Sequence, residues 1–450
     1  MNRSRRSFLQ TAVAGTAGAT LLNPAKIFSG PEGQTAWSNG MQINPSIDNK
    51  RVVCCTDITM LNSAASTATT FNKQNQAVNS SRVEANLDAM AISLSGKANT
   101  ADAWGTIFRK PSTKQWSDIK VAIKVNCINP DIMPRIAIVS KICKELIKIG
   151  VQGPNITIYD ACHNASGSGK YSDYINKDLP TGVKVLDGGK NNTSSVTVGT
   201  SQMNCAKVVT ESDILVNCSV NKGHGQTDKG GFTLSMKNHT GTMKFSCPSL
   251  QEMINQNKSN AIIGGNPPRQ QICIVDSLWA SVDGPFGAAD TLPAALIMGT
   301  FGPMVDYGVV KKIREPIMKA THNQSAINTI MTGFGYSGSD LQWVEVTPAV
   351  SVSNQNKETF NHQFKVQLIG TNFRNSIVEF MLPSNNIPFE LSIFDLKGSI
   401  VNNIHFSKTT NEYMWNGLTK AGLQITTGKY ILHVHNENYS IVKDLSVVNR

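Results

Sequence analysis

The residues most able to do chemistry fall where apolar runs end. Ile119-Lys120-Val121-Ala122-Ile123-Lys124-Val125-Asn126 is largely apolar until it changes character at Lys124 and Asn126. Ile156-Thr157-Ile158-Tyr159-Asp160 closes on a carboxylate and is soon followed by His163. The run Ile214–Val220 carries Asn217 and leads into Asn221, Lys222 and His224, and Ile272–Asp276 closes on Asp276. A lysine within a buried strand is costly unless it is paired or faces a cleft. Lys124 is therefore the most informative single residue; the competing reading is an edge-strand lysine in solvent. Asp160 or Asp276 could pair with it or orient a histidine.

The densest stretch runs from Asn221 through Gly241. A strand leads into a loop containing Gly223, Gly225, Gly230 and Gly231, and a short helical segment follows around Thr233–Asn238. Glycines let backbone N–H groups approach a ligand, and a helix start favours anions. Lys222, Lys229 and Lys237 add positive charge, so phosphate or carboxylate binding fits, although the G-x-x-x-x-G-K-[ST] order of a Walker loop is missing. The expected ligand-binding set is Asn126, Lys222, Gly230, Gly231, Lys237 and Asn238. The expected catalytic set is Lys124, Asp160, His224 and His239. The two histidines could move protons or ligate a metal; their spacing matches no ligand motif, and two ordinary loop histidines is the competing reading.

Such residues need a frame, and the pattern between residues 50 and 330 supplies one. Short apolar runs alternate with helical segments, which predicts an α/β fold with an open, mostly parallel sheet flanked by helices. Arg51–Cys55 is a strand candidate. Ser81–Ser95 is a helix with Ser80 or Ser81 as its cap, and Pro134 opens a second helix over Ile136–Ile149 that Gly150 stops. In open sheets of this kind ligands bind outside the carboxyl ends of the strands, where the polar residues fall. The α/β domain is expected over 45–333.

Composition bounds the rest. A chain of 450 residues is too long for one core, and 40% hydrophobic against 16% charged residues is a folding composition. The net charge is +11, but residues 1–30 contribute Arg3, Arg5, Arg6 and Lys26 and no acid, leaving +7 spread without a basic run. No nucleic-acid partner is expected. The nine cysteines show no C-x-x-C spacing and read as buried structural thiols, the adjacent Cys54 and Cys55 included. At the front, Ser4-Arg5-Arg6-Ser7-Phe8-Leu9-Gln10 and the weakly apolar Thr11–Leu22 form a twin-arginine signal over 1–30. The expected partners are thus the twin-arginine export machinery and a small anionic ligand, the expected location is outside the cytoplasm, and no transmembrane segment is expected in the mature chain. The cofactor stays unknown.

Three segments together resemble the bacterial family known as domain of unknown function 362. They are Val121–Asn126, Gly150 through Asn155-Ile156-Thr157-Ile158-Tyr159-Asp160, and Asp213–Asn217 continuing through Lys222-Gly223-His224 and Thr233–His239 to Gly241. Ala103-Trp104-Gly105-Thr106-Ile107-Phe108 resembles the exported branch of that family, and the resemblance spans about 50–330. It implies iron–sulfur company in many members, for which this chain has no appended cysteine cluster. The family's Asp-Pro-x-Ala-x-Asp stretch appears here as Gly302-Pro303-Met304-Val305-Asp306, without the first acid.

After Gly333–Ser339 the composition changes to short strands with Asn and Ser turns. An all-β, immunoglobulin-like sandwich is predicted over 345–450, from Phe364–Leu368, Val378–Leu382, Glu390–Asp395, Tyr413–Trp415, Lys429–Val434 and Ile441–Val448. Residues 370–450 resemble the sorting domain of type nine secretion cargo, which implies the outer-membrane secretion machinery as a partner, and equally the flagellar-hook-cap type of module. The leading expectation is an exported protein whose α/β domain binds, and could act on, a small anionic ligand. One alternative is a non-catalytic envelope or surface binding protein. Another is a metalloprotein loaded before export, with His224 and His239 reaching one ion. Convergence of Lys124, Asp160, Lys222 and His239 on one pocket separates the first from the second.

Overall fold

Short β-branched runs pair into one eight-stranded sheet in the computed structural model. The strands are Arg51–Thr56 (β1), Val121–Lys124 (β2), Ile156–Asp160 (β3), Lys184–Asp187 (β4), Ile214–Val220 (β5), Gln270–Ser277 (β6), Ala295–Gly299 (β7) and Gln342–Glu345 (β8). They lie in the order β8-β1-β7-β6-β5-β2-β3-β4. All are mutually parallel except β7, which runs antiparallel to both neighbours. The structure describes residues 37–161, 170–175, 178–188, 192–243 and 247–349. Beyond these it describes 365–369, 377–381, 389–396, 399–406, 412–415, 417–435 and 440–447. The twin-arginine segment, Cys162 and His163 lie outside the described residues.

Strand alternation lets each central strand be apolar on both faces. In β2, Val121 and Ile123 join the core on one side of the sheet and Ala122 the core on the other. The first side is covered by Ser80–Ser95 (α1), Thr100–Ile107 (α2) and Ile136–Lys148 (α3). Val83, Leu87, Met90, Trp104, Ile138 and Ile142 meet the sheet there. The opposite side holds the short helix Ser235–Asn238 (α4), then Leu250–Lys258 (α5), Gly302–Val309 (α6) and Gln324–Gly333 (α7). α1 is capped by Asn79, whose side chain accepts from Arg82 N, rather than by either of the two serines expected. Arg135 stands at the cap position of α3.

The main sheet reaches further along the chain than 333, since Gln342–Glu345 pairs in parallel with β1 at its edge. The chain divides into units of residues 1–349 and 350–450. In the second, Lys365–Ile369, Ile377–Met381 and Glu412–Trp415 form an antiparallel three-stranded sheet. Ile400–Phe406, Phe389–Asp395, Gly428–His435 and Ser440–Val447 form an antiparallel four-stranded one. Ile400–Phe406 is a strand the sequence reading did not contain. Leu391, Ile393, Leu432 and Val434 bury one face of the larger sheet.

Trp104 anchors the helical layer: it is fully buried, stacks on Phe108 and donates from Nε1 to Asp88 Oδ1 at 2.8 Å. Replacing so large a buried side chain leaves a cavity, so Trp104→Ala is expected to destabilise the first unit by about 3–5 kcal/mol. Urea unfolding followed by circular dichroism checks this, with Trp104→Phe expected to lose clearly less.

Candidate functional site

Because seven strands share one direction, their carboxyl ends lie along one edge, and the polar residues collect there. Lys124 ends β2 in the middle of the sheet and is 1% exposed. Its Nζ donates to Val125 O at 2.6 Å, to Asp160 Oδ1 at 3.0 Å and to Asn238 Oδ1 at 3.0 Å. The three donors of an ammonium are thereby matched by three oxygens. Asp160 also accepts from Cys127 N at 2.6 Å through Oδ2. The solvent-edge reading of Lys124 does not hold, and of its two candidate partners Asp160 is the one it meets.

Asp276 serves another cation. It accepts from Arg135 N at 2.7 Å and from Leu278 N at 3.0 Å, with Arg135 Nε 3.9 Å away. Burial raises the carboxyl pKa against these partners. The Arg135 guanidinium, itself fully buried, lies 4.9 Å from the ring centroid of Trp279.

A cavity of about 130 Å³ opens beside this edge, lined by Lys124, Asn126, Ile128, Asp160, His224, Thr233, Lys237, Asn238, Thr240, Gly241, Cys247 and Pro285. Lys124, Asn126, Asp160, His224, Lys237 and Asn238 line this one cavity, whereas Lys222 and His239, whose convergence with Lys124 and Asp160 is the expected mark of a catalytic pocket, do not. Lys222 stands one layer back, donating to Asn126 Oδ1 at 2.6 Å and to Ile132 O at 3.1 Å. With no carboxylate at hydrogen-bond distance among the described residues, burial pushes its pKa down to about 7. Gly230 and Gly231 take positive φ of 104° and 79° and shape the loop without lining the cavity.

His239 does not reach the cleft. It is fully buried, with Nε2 2.6 Å from Gln270 Oε1 and Nδ1 3.2 Å from Thr242 Oγ1. These contacts suit a neutral ring that donates from Nε2 and accepts at Nδ1. Burial pushes its pKa down to about 3, so the ring stays neutral near neutral pH. The acid–base role expected of it is therefore replaced by a structural one. His224 does line the cavity, and burial together with Lys237 and Lys229 pushes its pKa down to about 4. Its Nδ1 accepts from Gln226 N at 3.1 Å, which leaves Nε2–H as a donor. Nδ1 of His224 and both ring nitrogens of His239 are already engaged within the protein. Among the described residues no group of three His, Cys, Asp or Glu side chains is arranged to hold a metal.

Three residues at the site escaped the sequence reading. Gln226 Oε1 receives both the Lys237 ammonium, at 3.3 Å, and the Cys247 thiol. Thr240 is part of the wall. Cys247 carries a usable sequence signal, since it stands between Ser246 and Pro248 rather than within an apolar run. The last acid of the family-like stretch, Asp306, lies beneath the site. It caps α4 by accepting from Ser235 N at 2.8 Å and Met236 N at 2.9 Å, and so orients the turn bearing Lys237 and Asn238.

These features define an open α/β domain with a lysine-bearing cleft at the carboxyl edge of its sheet. Residues 121–311 match the family described as Domain of unknown function (DUF362), which supports the resemblance over a shorter stretch than expected. No curated protein matches the chain. Among solved structures, PorZ of Porphyromonas gingivalis, a bacterial surface component of the type-IX secretion system, is similar over 21% of this chain and 12% of its own, at 15% identity and a TM-score of 0.18. Dimeric latent PorU from the same organism is similar over 19% and 9%, at 20% identity and a TM-score of 0.16. FlgD from P. aeruginosa is similar over 18% and 64%, at 16% identity and a TM-score of 0.14. The chain spans less than two thirds of each of these proteins.

Two outcomes follow from the buried charges. Lys124→Met removes one partner of a buried ion pair and is expected to cost about 3–5 kcal/mol. The double variant Lys124→Met/Asp160→Asn should recover part of that loss in urea unfolding. Burial of Asp306 raises its carboxyl pKa to about 7. The folded state therefore keeps this proton to higher pH than the unfolded chain, whose pKa is about 4. The stability it contributes is complete below about pH 4 and is lost as pH rises through about 7. The wild-type chain should lose stability relative to Asp306→Asn across that window; parallel pH profiles of the two would contradict the assignment.

Proposed function

We propose that the α/β domain binds a small anionic molecule in the cleft at the carboxyl edge of its sheet. The observation that carries this reading is the charge balance of the lining. Asp160 is the one acidic side chain among the described lining residues, and the Lys124 ammonium already counters it. Lys237 remains, more than nine-tenths buried, beside a neutral amide and a thiol. Burial lowers its pKa, and an incoming anion would restore the charged form. Asn126 and Asn238 add polar groups to the wall, and the neutral His224 ring offers Nε2–H as a donor to a ligand oxygen. Lys222 adds positive charge behind Asn126 once the pH falls below its value of about 7.

The same reading places the protein outside the cytoplasm, on the twin-arginine pattern at its amino terminus. The all-β unit then serves as a sorting or stalk module. No helix among the described residues is long and apolar enough to cross a membrane.

Sulfate is a suitable probe because its charge stays constant across the useful pH range. Isothermal titration calorimetry should find one sulfate site in the wild-type chain. Lys237→Met should weaken it at least ~10-fold, or ~1.4 kcal/mol, and the exposed Lys97→Met should leave it unchanged. Affinity should fall from pH 6 to pH 8 as Lys222 loses its proton. Unaltered affinity in Lys237→Met would sink the reading.

A further inference from the structure

Gln226 gathers the reactive side chains of the cleft. Its backbone N–H donates to His224 Nδ1, and its side-chain oxygen receives the Lys237 ammonium and the Cys247 thiol. Of the eight cysteines described, Cys247 alone is not buried, and it opens onto the cavity. The others are sealed in the two cores, where burial pushes thiols such as Cys143 and Cys205 up to about 12. A second observation points independently to a ligand at this wall. Thr240 Oγ1 is sheltered from solvent and has no hydrogen-bond partner among the described residues. A buried hydroxyl left unmet is what a bound molecule's oxygen would complete.

We propose that Cys247 is a nucleophilic thiol that exchanges with small anionic disulfides entering the cleft. Thiol–disulfide exchange asks for a thiolate, a cation beside it and an open approach. The geometry at Cys247 supplies the last two: Lys237 shares its acceptor, and the cavity gives access. The Gln226 amide can turn its NH₂ group toward the sulfur once the thiol proton has left. In the step itself, the Cys247 thiol gives its proton to solvent and its sulfur attacks one sulfur of the incoming disulfide. A new S–S bond forms as the old one breaks, and the departing half leaves as a thiolate that solvent protonates. Cys247 is oxidised, the departing half is reduced, and the half that stays occupies the cleft. The selectivity for anionic partners rests on the proposed anion site; the nucleophilicity of Cys247 does not.

The experiment treats the full reduced chain with oxidised glutathione, a disulfide bearing carboxylates, and in parallel with cystamine, a cationic one. Intact mass and peptide mapping follow the adducts. One adduct is expected, on Cys247, and it should form faster with the anionic reagent by ~10-fold or more, the lower end for electrostatic focusing in a cleft. Cys247→Ser should abolish the adduct. Lys237→Met should erase the preference, and in the wild-type chain rising ionic strength should do the same, which covers the case of a misfolded variant. Labelling at Cys162 or spread over several cysteines would overturn the proposal, as would equal rates with the two reagents. Sulfate binding measured on Cys247→Ser keeps the two readings apart. Intact sulfate binding with no adduct in the wild-type chain removes this inference alone, and lost sulfate binding with a selective adduct removes the anion site alone.

Discussion

The arrangement at the sheet edge depends on what it takes to keep an ammonium group inside an apolar sheet. Lys124 is sealed from solvent in the middle of eight strands, and each of its hydrogens needs an oxygen. The three oxygens come from its own strand end, from Asp160 on β3 and from Asn238 on α4. Asn238 donates in turn to Asn217 Oδ1, and Asn217 donates to Gln270 Oε1 on β6. Gln270 meets His239, His239 meets Thr242, and Thr242 meets the hydroxyl of Tyr159, the residue before Asp160. The chain of contacts closes on itself across β2, β3, β5, β6 and α4. A buried network of this kind is rigid when complete and costly when broken, so α4 cannot move far from the sheet without opening it.

The remaining buried charges at this edge are met by different means, and that contrast defines the cleft. Arg135 is held by Asp276 and by aromatic rings. Arg314 donates to Asn221 Oδ1 and to the carbonyls of Ser281 and Val282. Asp306 is satisfied by two backbone amides at the start of α4. Lys222 has only an amide and a carbonyl oxygen, and burial leaves its proton loosely held. Arg135 Nε and Nη2 have no hydrogen-bond partner among the described residues, and Lys237, at the cavity, has a neutral one.

Sequence reasoning reached the frame because strand ends announce themselves. Apolar runs that stop at Lys124, Asp160 and Asp276 place those residues along one edge as soon as the strands are parallel. It could not choose between Asp160 and Asp276 as the partner of Lys124, since that depends on strand order: β3 lies beside β2, while β5 separates β2 from β6. It misjudged His239 because a loop histidine and a core histidine look alike without knowledge of depth. The turn of α4 sends Lys237 and Asn238 to the cavity and His239 inward. The reversed strand β7 and the cap Asn79 were missed for a related reason. A short apolar run says nothing of its direction, and Asn, Ser and Ser in succession all make acceptable caps. Cys247 was grouped with the buried thiols by residue type, although its neighbours already set it apart.

The loop that completes the cleft is held by backbone contact rather than by side-chain burial. At Gly223 a side-chain carbon would stand 2.0 Å from Val282 O, so the chain after β5 can pass here only without one. That close passage is fixed by Gly223 N donating to Ser281 O and Gly225 N to Gly284 O. Between these points His224 is brought to the cavity, and Gln226 follows immediately. The segment carrying Arg314's acceptors, Ser281 and Val282, is the same one against which Gly223 packs. A buried guanidinium thus braces one wall, while the Lys124 network braces the other. The cavity lies where two independently satisfied networks meet, so its shape is set before any ligand arrives, and this preorganisation lowers the ordering cost of binding.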